Sequence, residues 1–397
     1  MITTIERIDD FGRGIAFVND KITFIENALP GEKVKIETTK EQSKIQEAKV
    51  IEYITTSKDR VESICKNYGK CGGCQFLHTT KEVEKDFKIN KVTNAFKKFA
   101  KSEINPTYFE AEELGYRNKI TLKVKKRRIG FYEKNSNKIV PIESCYLAKD
   151  SINKFLPLLK DMNIIHGDVS IRSNYNDELL IHIKSNDKVD VPFGLTKHKV
   201  VGIVLNNKVI YGENKFVEIL DNNSYQINYN SFFQINNNIT KQIFKDLQTN
   251  ASNSDNLLDL YCGVGTLGIA LRDKTKKITG IELEKNAIMN SIKNAKINKI
   301  ENASFHLGKV EELIEKIDIN FDTIIVDPPR AGIDKNSLNT ILELNPNQII
   351  YMSCEPITLS RDINILKEKY KIKTTNIYNM FPKTYHVECV VTLYRKK

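Results

Sequence analysis

The sequence predicts a multi-domain protein whose C-terminal part is a doubly wound, Rossmann-like α/β domain. Three observations carry this. From about residue 229, short apolar runs alternate with helical patterns, as in strand–helix–strand units around a parallel sheet. The first such run, Asn256 to Tyr261, opens directly into Cys262-Gly263-Val264-Gly265-Thr266-Leu267-Gly268. Two later runs stop at proline-containing loops, Asp327-Pro328-Pro329-Arg330 and Ser353-Cys354-Glu355-Pro356. Open α/β sheets bind ligands at such carboxyl ends.

A chain of 397 residues, at about 100–200 residues per domain, is expected to form two to three domains. No run of 18 apolar residues occurs and the start is not a signal peptide, so a soluble cytoplasmic protein without a membrane partner is expected, and a monomer. Net charge is +11, from 61 Lys and Arg against 50 acids. That favours a polyanionic partner, although surplus lysine also serves solubility. Seven cysteines in a cytoplasmic chain point to metal binding or catalysis and away from a disulfide framework.

Residues 1–57 read as a small β module. Ile15 to Val18 and Ile22 to Ile25 are strand-like across Asn19-Asp20-Lys21. Leu29-Pro30-Gly31-Glu32 is a turn, Val34 and Ile36 alternate, and Ala48 to Ile54 is a further strand. This many short strands fit an OB-like β-barrel, a common RNA-binding platform. With the hairpin Phe11-Gly12-Arg13-Gly14 and the Ala-Leu-Pro-Gly-Glu turn, the segment resembles a TRAM domain. Lysines 33, 35, 40, 44 and 49 suit RNA contact without locating it.

Residues 58–228 read as a central α+β domain. It opens on Cys65-x5-Cys71-Gly72-Gly73-Cys74, with Cys145 far downstream. Thiolates bind soft metals and iron–sulfur clusters, and glycines leave the backbone free to wrap such a centre. Zinc and iron–sulfur both stay open here, and His78 is an alternative fourth ligand to Cys145. Lys81 to Lys101 is a basic amphipathic helix by the spacing of Val83, Phe87, Val92, Phe96 and Phe99. Arg128 to Tyr132 and Lys138 to Ile142 flank a turn signature. Beside the basic run Lys123 to Arg128, this hairpin with Tyr116, Phe131 and Tyr132 could track phosphates and stack bases. A solvated charged face is the competing reading.

Residues 229–397 carry the chemistry. The glycines fit G-x-G-x-x-G, and the next strand, Ile278 to Glu282, ends in an acid placed for ribose hydroxyls. NAD and S-adenosylmethionine both satisfy this pattern. Asp327-Pro328-Pro329 favours methyl transfer, since it has no role in hydride transfer. Arg330, where amine methyltransferases carry an aromatic residue, points to a ring carbon. Cys354 lies at a strand end near a helix start, a setting expected to lower a thiol pKa and favour a nucleophilic thiolate; a half-buried structural thiol is the competing reading.

Asp-Pro-Pro-Arg followed by Ser-Cys-Glu-Pro is the pairing by which the chain resembles the S-adenosylmethionine-dependent RNA 5-methyluridine methyltransferases. Ser231-Phe232-Phe233-Gln234-Ile235-Asn236 and Met380 to Glu388 resemble the same family. The resemblance implies that Cys354 adds to carbon 6 of uracil and that Glu388 removes the carbon 5 proton. It implies Gln234, Tyr261, Glu282 and Asp327 as cofactor contacts; Thr266 stands where some members have Asn. It also implies a [4Fe–4S] cluster on Cys65, Cys71, Cys74 and Cys145. From the residues alone, His386 rivals Glu388, because the two share one face of an expected strand from Tyr385 to Val391 and histidine titrates near neutrality. Cys262 and Cys389 have apolar neighbours and read as core thiols. Within the family, the TRAM-like module and the cysteine cluster point to 23S rRNA. The alternatives are the same reaction on tRNA, a non-catalytic RNA-binding assembly factor, and an NAD-dependent oxidoreductase.

Overall fold

The computed structural model describes residues 1–316 and 319–397. Among them no helix is long and apolar enough to cross a membrane. The chain divides into two compact units.

The smaller unit comprises Met1–Lys91, Arg128–Ile142 and Phe381–His386. Its first 55 residues form a six-stranded sheet of Ile2–Thr4, Arg7–Ile8, Gly14–Val18, Lys21–Glu26, Lys33–Glu41 and Ile45–Thr55. Pairing is antiparallel except between Lys21–Glu26 and Ile45–Thr55. Alternation along the strands sends Ala16, Val18, Ile25, Val34, Ile36 and Ala48 into one core. The turn before Lys33 needs Gly31 at φ +82°. Glu32 beside it is fully buried and paired by Arg60. The hairpin Arg128–Tyr132/Ile139–Pro141 also lies here. Its Lys134, in the turn of the hairpin, is ion-paired with Glu26, so part of the hairpin's positive charge is already neutralised.

The larger unit comprises Val92–Arg127, Glu143–Met380 and Val387–Lys397. Strands Lys119–Lys125, His166–Ser173, Leu179–Lys184, Val200–Leu205 and Lys208–Gly212 pair in that order. Tyr116 is 6% exposed in this unit. The expectation that it stacks on bases is therefore corrected: its ring is core.

The second sheet of this unit positions the site. Its strands are β1 (Thr107–Phe109), β2 (Ser254–Leu260), β3 (Thr275–Glu282), β4 (Ala303–Leu307), β5 (Thr323–Val326), β6 (Gln348–Ser353), β7 (Tyr370–Tyr378) and β8 (Glu388–Arg395). Their order is β4-β3-β2-β5-β6-β8-β7-β1. β2 to β6 are parallel, and β8 runs antiparallel between β6 and β7. β5 and β6 are buried throughout, as parallel strands covered on both faces must be. The reversal of order beside β2 leaves a crevice at the carboxyl ends of β2 and β5.

Candidate active site

Cys354 is the first residue after β6. The turn that holds it is short, because Glu355 caps the helix Pro356–Leu366 through Ile357 N and Pro356 occupies the first turn. Glu355 N donates to Ser353 Oγ at 3.1 Å. Glu388 opens β8 and is 4% exposed. The last rung between the two strands is Ser353 with Cys389. Cys354 and Glu388 therefore stand opposite each other one residue beyond it. Asp327 follows β5 in the neighbouring position, and Thr358 Oγ1 fixes the carbonyl of Arg330 at 3.1 Å.

These four side chains form one electrostatic group. Burial pushes the Cys354 thiol up to about 11, Glu388 adds to this, and Arg330, hydrogen-bonded to the sulfur, opposes it. Glu388 is raised well above the usual carboxylate range by burial and by Asp327. Asp327 is itself raised to about 7 by burial. The expectation of a thiol pKa lowered by the helix N-terminus is thus corrected. Desolvation and two buried carboxyls outweigh the helix end, and Arg330 is the cation that works towards the thiolate.

The other half of the crevice is built on the glycine turn, whose shape is that of a cradle. Tyr261 turns the chain out of β2 with φ +61°, and Gly263 and Gly265 continue it at +54° and +82°. A side chain on Gly263 would project into open space, where a ligand approaches the backbone. Glu282, at the end of β3, accepts from Gly263 N at 3.1 Å and from Glu284 N at 2.8 Å. That holds its carboxylate at the lip of the turn. Gly268 N donates to buried Asp259 at 2.9 Å. Asp259 is raised to about 8 by burial, with Asp327 and Glu282 both adding, which ties the cradle to the Cys354 group. Gln234 lies on the Ser231–Asn236 segment. Asn118 Nδ2 donates to its carbonyl, Arg172 Nη2 to the Ser231 carbonyl, and Asn290 Nδ2 to Ser231 Oγ. Asn236 caps the helix Asn237–Asn250. Phe232 is 69% exposed between buried neighbours. The open glycine turn, the fixed acid and the exposed ring suit a ligand with a ribose and a flat base.

Other expected site residues fall elsewhere. His386 belongs to the smaller unit and precedes β8, so the strand-face argument linking it to Glu388 is corrected. Lys383 at φ +65° and a turn from Phe381 O to Thr384 N break the extended path there. The cysteine motif is a run of tight turns: Cys65 O accepts from Tyr68 N, and Asn67 O from Lys70 N and Cys71 N. His78 is buried with Nδ1 2.5 Å from Tyr68 Oη, and burial takes its pKa down to about 4. Among the described residues no group of three or more His, Cys, Asp or Glu is placed to hold a metal ion. The expected four-cysteine centre is therefore not carried by the structure. Sequence reasoning used Arg330 only as a pointer to ring-carbon chemistry and gave Asp259 no role. A lone acid inside the apolar run Leu257 to Leu260 was the available signal for Asp259.

A family model described as tRNA (uracil-5-)-methyltransferase matches residues 193–396. An uncharacterized RNA methyltransferase of Clostridium acetobutylicum is 32% identical, over 98% of this chain and 96% of its own. One of Staphylococcus epidermidis is 31% identical, over 97% and 95%. Among solved structures, the Pyrococcus abyssi tRNA (uracil-54, C5)-methyltransferase with S-adenosyl-L-homocysteine superposes with a TM-score of 0.81. It is 25% identical, over 99% of this chain and 100% of that one.

Proposed function

Because the chain belongs to the tRNA (uracil-5-)-methyltransferase family, we propose that it methylates carbon 5 of a uridine in 23S rRNA, in the cytoplasm, with Cys354 as nucleophile and Glu388 as base. The observation that carries this reading is the placing of Cys354 against Glu388 beyond the Ser353–Cys389 rung.

S-adenosyl-L-methionine supplies the electrophilic methyl group when bound. The chain's own residues do the rest. The Cys354 thiolate bonds to carbon 6 of uracil, and the displaced ring electrons make carbon 5 nucleophilic. Arg330 favours the thiolate. Once carbon 5 is methylated, Glu388 takes its proton, the carbon 5–carbon 6 double bond re-forms, and the thiolate leaves. Gln234, Tyr261, Glu282 and Asp327 hold the cofactor.

Residues 1–57 read as a TRAM-like RNA-binding module, 58–228 as the central domain and 229–397 as the methyltransferase domain. The six-stranded sheet and its lysines support the first of these. The spacing of Cys65, Cys71 and Cys74, with Cys145, supports a [4Fe–4S] cluster that takes no part in the steps above. Iron and acid-labile sulfide in anaerobically purified protein test it, and protein that is active without either rules it out.

The tRNA reading also has an observation in its favour. The archaeal enzyme that superposes along nearly the whole chain is named for tRNA. Incubation with labelled S-adenosylmethionine and unmodified 23S rRNA or tRNA, followed by nucleoside analysis, decides. Label in 5-methyluridine from rRNA supports the proposal, label from tRNA moves the substrate, and no label from either removes both.

A further inference from the structure

The segment Phe381–His386 packs with the N-terminal residues of the smaller unit, and the chain then runs through Val387 into Glu388. Three N-terminal stretches grip its six residues. On the helix Lys81–Ala95, Glu84 and Lys88 are an i, i+4 ion pair with 1% and 0% exposure. Lys88 Nζ donates to Glu84 at 2.7 Å and to Phe381 O at 3.1 Å. Glu84 accepts from Lys383 N at 2.9 Å and lies 3.8 Å from Lys383 Nζ. Just past the last cysteine of the motif, Gln75 N and Phe76 N both donate to Lys383 O, at 2.9 and 3.1 Å. Lys91 Nζ donates to Tyr385 O at 3.2 Å, and the Phe11 ring meets Tyr385 edge-on at 5.5 Å.

A buried ion pair is a poor stability device, because desolvation offsets the attraction and an apolar pair of similar volume does as well. What Glu84 and Lys88 add is direction. Their hydrogen bonds end on main-chain atoms of Phe381 and Lys383 and fix the latter in a left-handed conformation that a lysine rarely adopts.

We propose that Glu84 and Lys88 are positioning residues for the proton-abstraction step. They fix the path of the segment that delivers Glu388 to its place opposite Cys354. In that step the carbon 5–hydrogen bond breaks, the proton goes to the Glu388 carboxylate, the electron pair left on carbon 5 re-forms the carbon 5–carbon 6 double bond, and the carbon 6–sulfur bond breaks to free the thiolate. Misplacing the base slows this step and leaves the two before it intact. The inference rests on the reading of Glu388 as base.

The test compares wild type with the double variant Glu84→Met/Lys88→Leu, which removes both charges of the buried pair together, and with Lys91→Met at a half-buried position. RNA that the wild type methylates is the substrate. Thermal melting reports folding, labelled S-adenosylmethionine the first methyl transfer, and denaturing gels the covalent RNA–protein adduct. The double variant is expected to keep first-turnover methylation, accumulate methylated adduct and lose turnover by about 10- to 100-fold, the scale of a small misplacement of a reacting group. Lys91→Met shows the same adduct in smaller amount. Wild-type adduct levels in both variants overturn the inference, as does a double variant losing methyl transfer and release together. A Glu388→Gln enzyme run in parallel separates the two claims. If it turns over without adduct, the base assignment fails and the inference with it. If it accumulates adduct while the Glu84, Lys88 and Lys91 variants do not, the inference alone fails.

Discussion

Cys354 and Glu388 face each other across the ends of two antiparallel strands, one residue past the Ser353–Cys389 rung. Antiparallel pairing sets side chains of opposing residues about 4.5–5.5 Å apart. On the proposed reading, this puts the nucleophile and the base on neighbouring positions, as addition at carbon 6 and proton removal at the adjacent carbon 5 require.

Removing the nucleophile separates binding from chemistry. Cys354→Ala is expected to lower turnover by roughly 10³-fold or more while S-adenosylmethionine binding stays. It should form no covalent adduct with RNA. Calorimetry and denaturing gels check the two halves of that statement.

The raised thiol gives a pH signature. Its pKa of about 11 leaves the free enzyme in the thiol form at neutrality. The thiolate fraction should rise about tenfold per pH unit between pH 7 and 9, and log kcat/KM with it by about one. Iodoacetamide labelling of Cys354 followed by peptide mass spectrometry should show the same slope in the absence of RNA.

Arg330 opposes that rise. Arg330→Met removes the hydrogen bond and the positive charge beside the sulfur. It should displace the labelling profile to higher pH and lower kcat/KM at pH 7 by about tenfold for each unit of displacement. A profile that stays in place would remove Arg330 from the account.

Asp259 makes a separate prediction about stability. Its folded pKa of about 8 lies above the ordinary 3.8. Between these values the folded chain holds a proton that the unfolded chain has lost. The contribution is therefore fully present below about pH 4 and lost as pH rises through 8. Asp259→Asn, which cannot ionise, should melt above wild type at pH 8.5 and show a much smaller difference at pH 5. Each kcal/mol corresponds to roughly 2–4 °C.

Gly280 on β3 tests the packing behind the cradle. A Cβ there would meet Phe305 Cδ1 at 2.5 Å and Cys262 Sγ at 2.9 Å. Gly280→Ala should cost about 1–3 kcal/mol, read as a lower melting temperature.

Much of this site was legible because it is written in local rules. The apolar run to Ser353 and the proline three residues on mark a strand and a helix start, and they appear as Gln348–Ser353 and Pro356–Leu366. The glycine turn and the acid at Glu282 follow the same logic. Burial of charge was not legible. The helix from Lys81 was read by its apolar residues, yet Glu84 and Lys88 are among its most buried side chains, in line with Val92. Periodicity of hydrophobic residues is blind to an ion pair inside a core. The thiol pKa was misjudged for a related reason. A helix end is visible in sequence, but the carboxyls of Asp327 and Glu388 meet the thiol only once the sheet exists. His386 was placed on a strand because alternation cannot foresee the left-handed turn at Lys383.

The grip on Phe381–His386 also bears on how the enzyme comes into being. Its bonds join residues 293 to 299 apart in the chain. Closing so long a loop is entropically unfavourable and slow compared with local helix and strand formation. The parallel sheet and its cofactor cradle draw on shorter-range pairings and can form earlier. During refolding, cofactor binding should therefore return before turnover, and the interval between the two measures how long the chain takes to bring its distant ends into register.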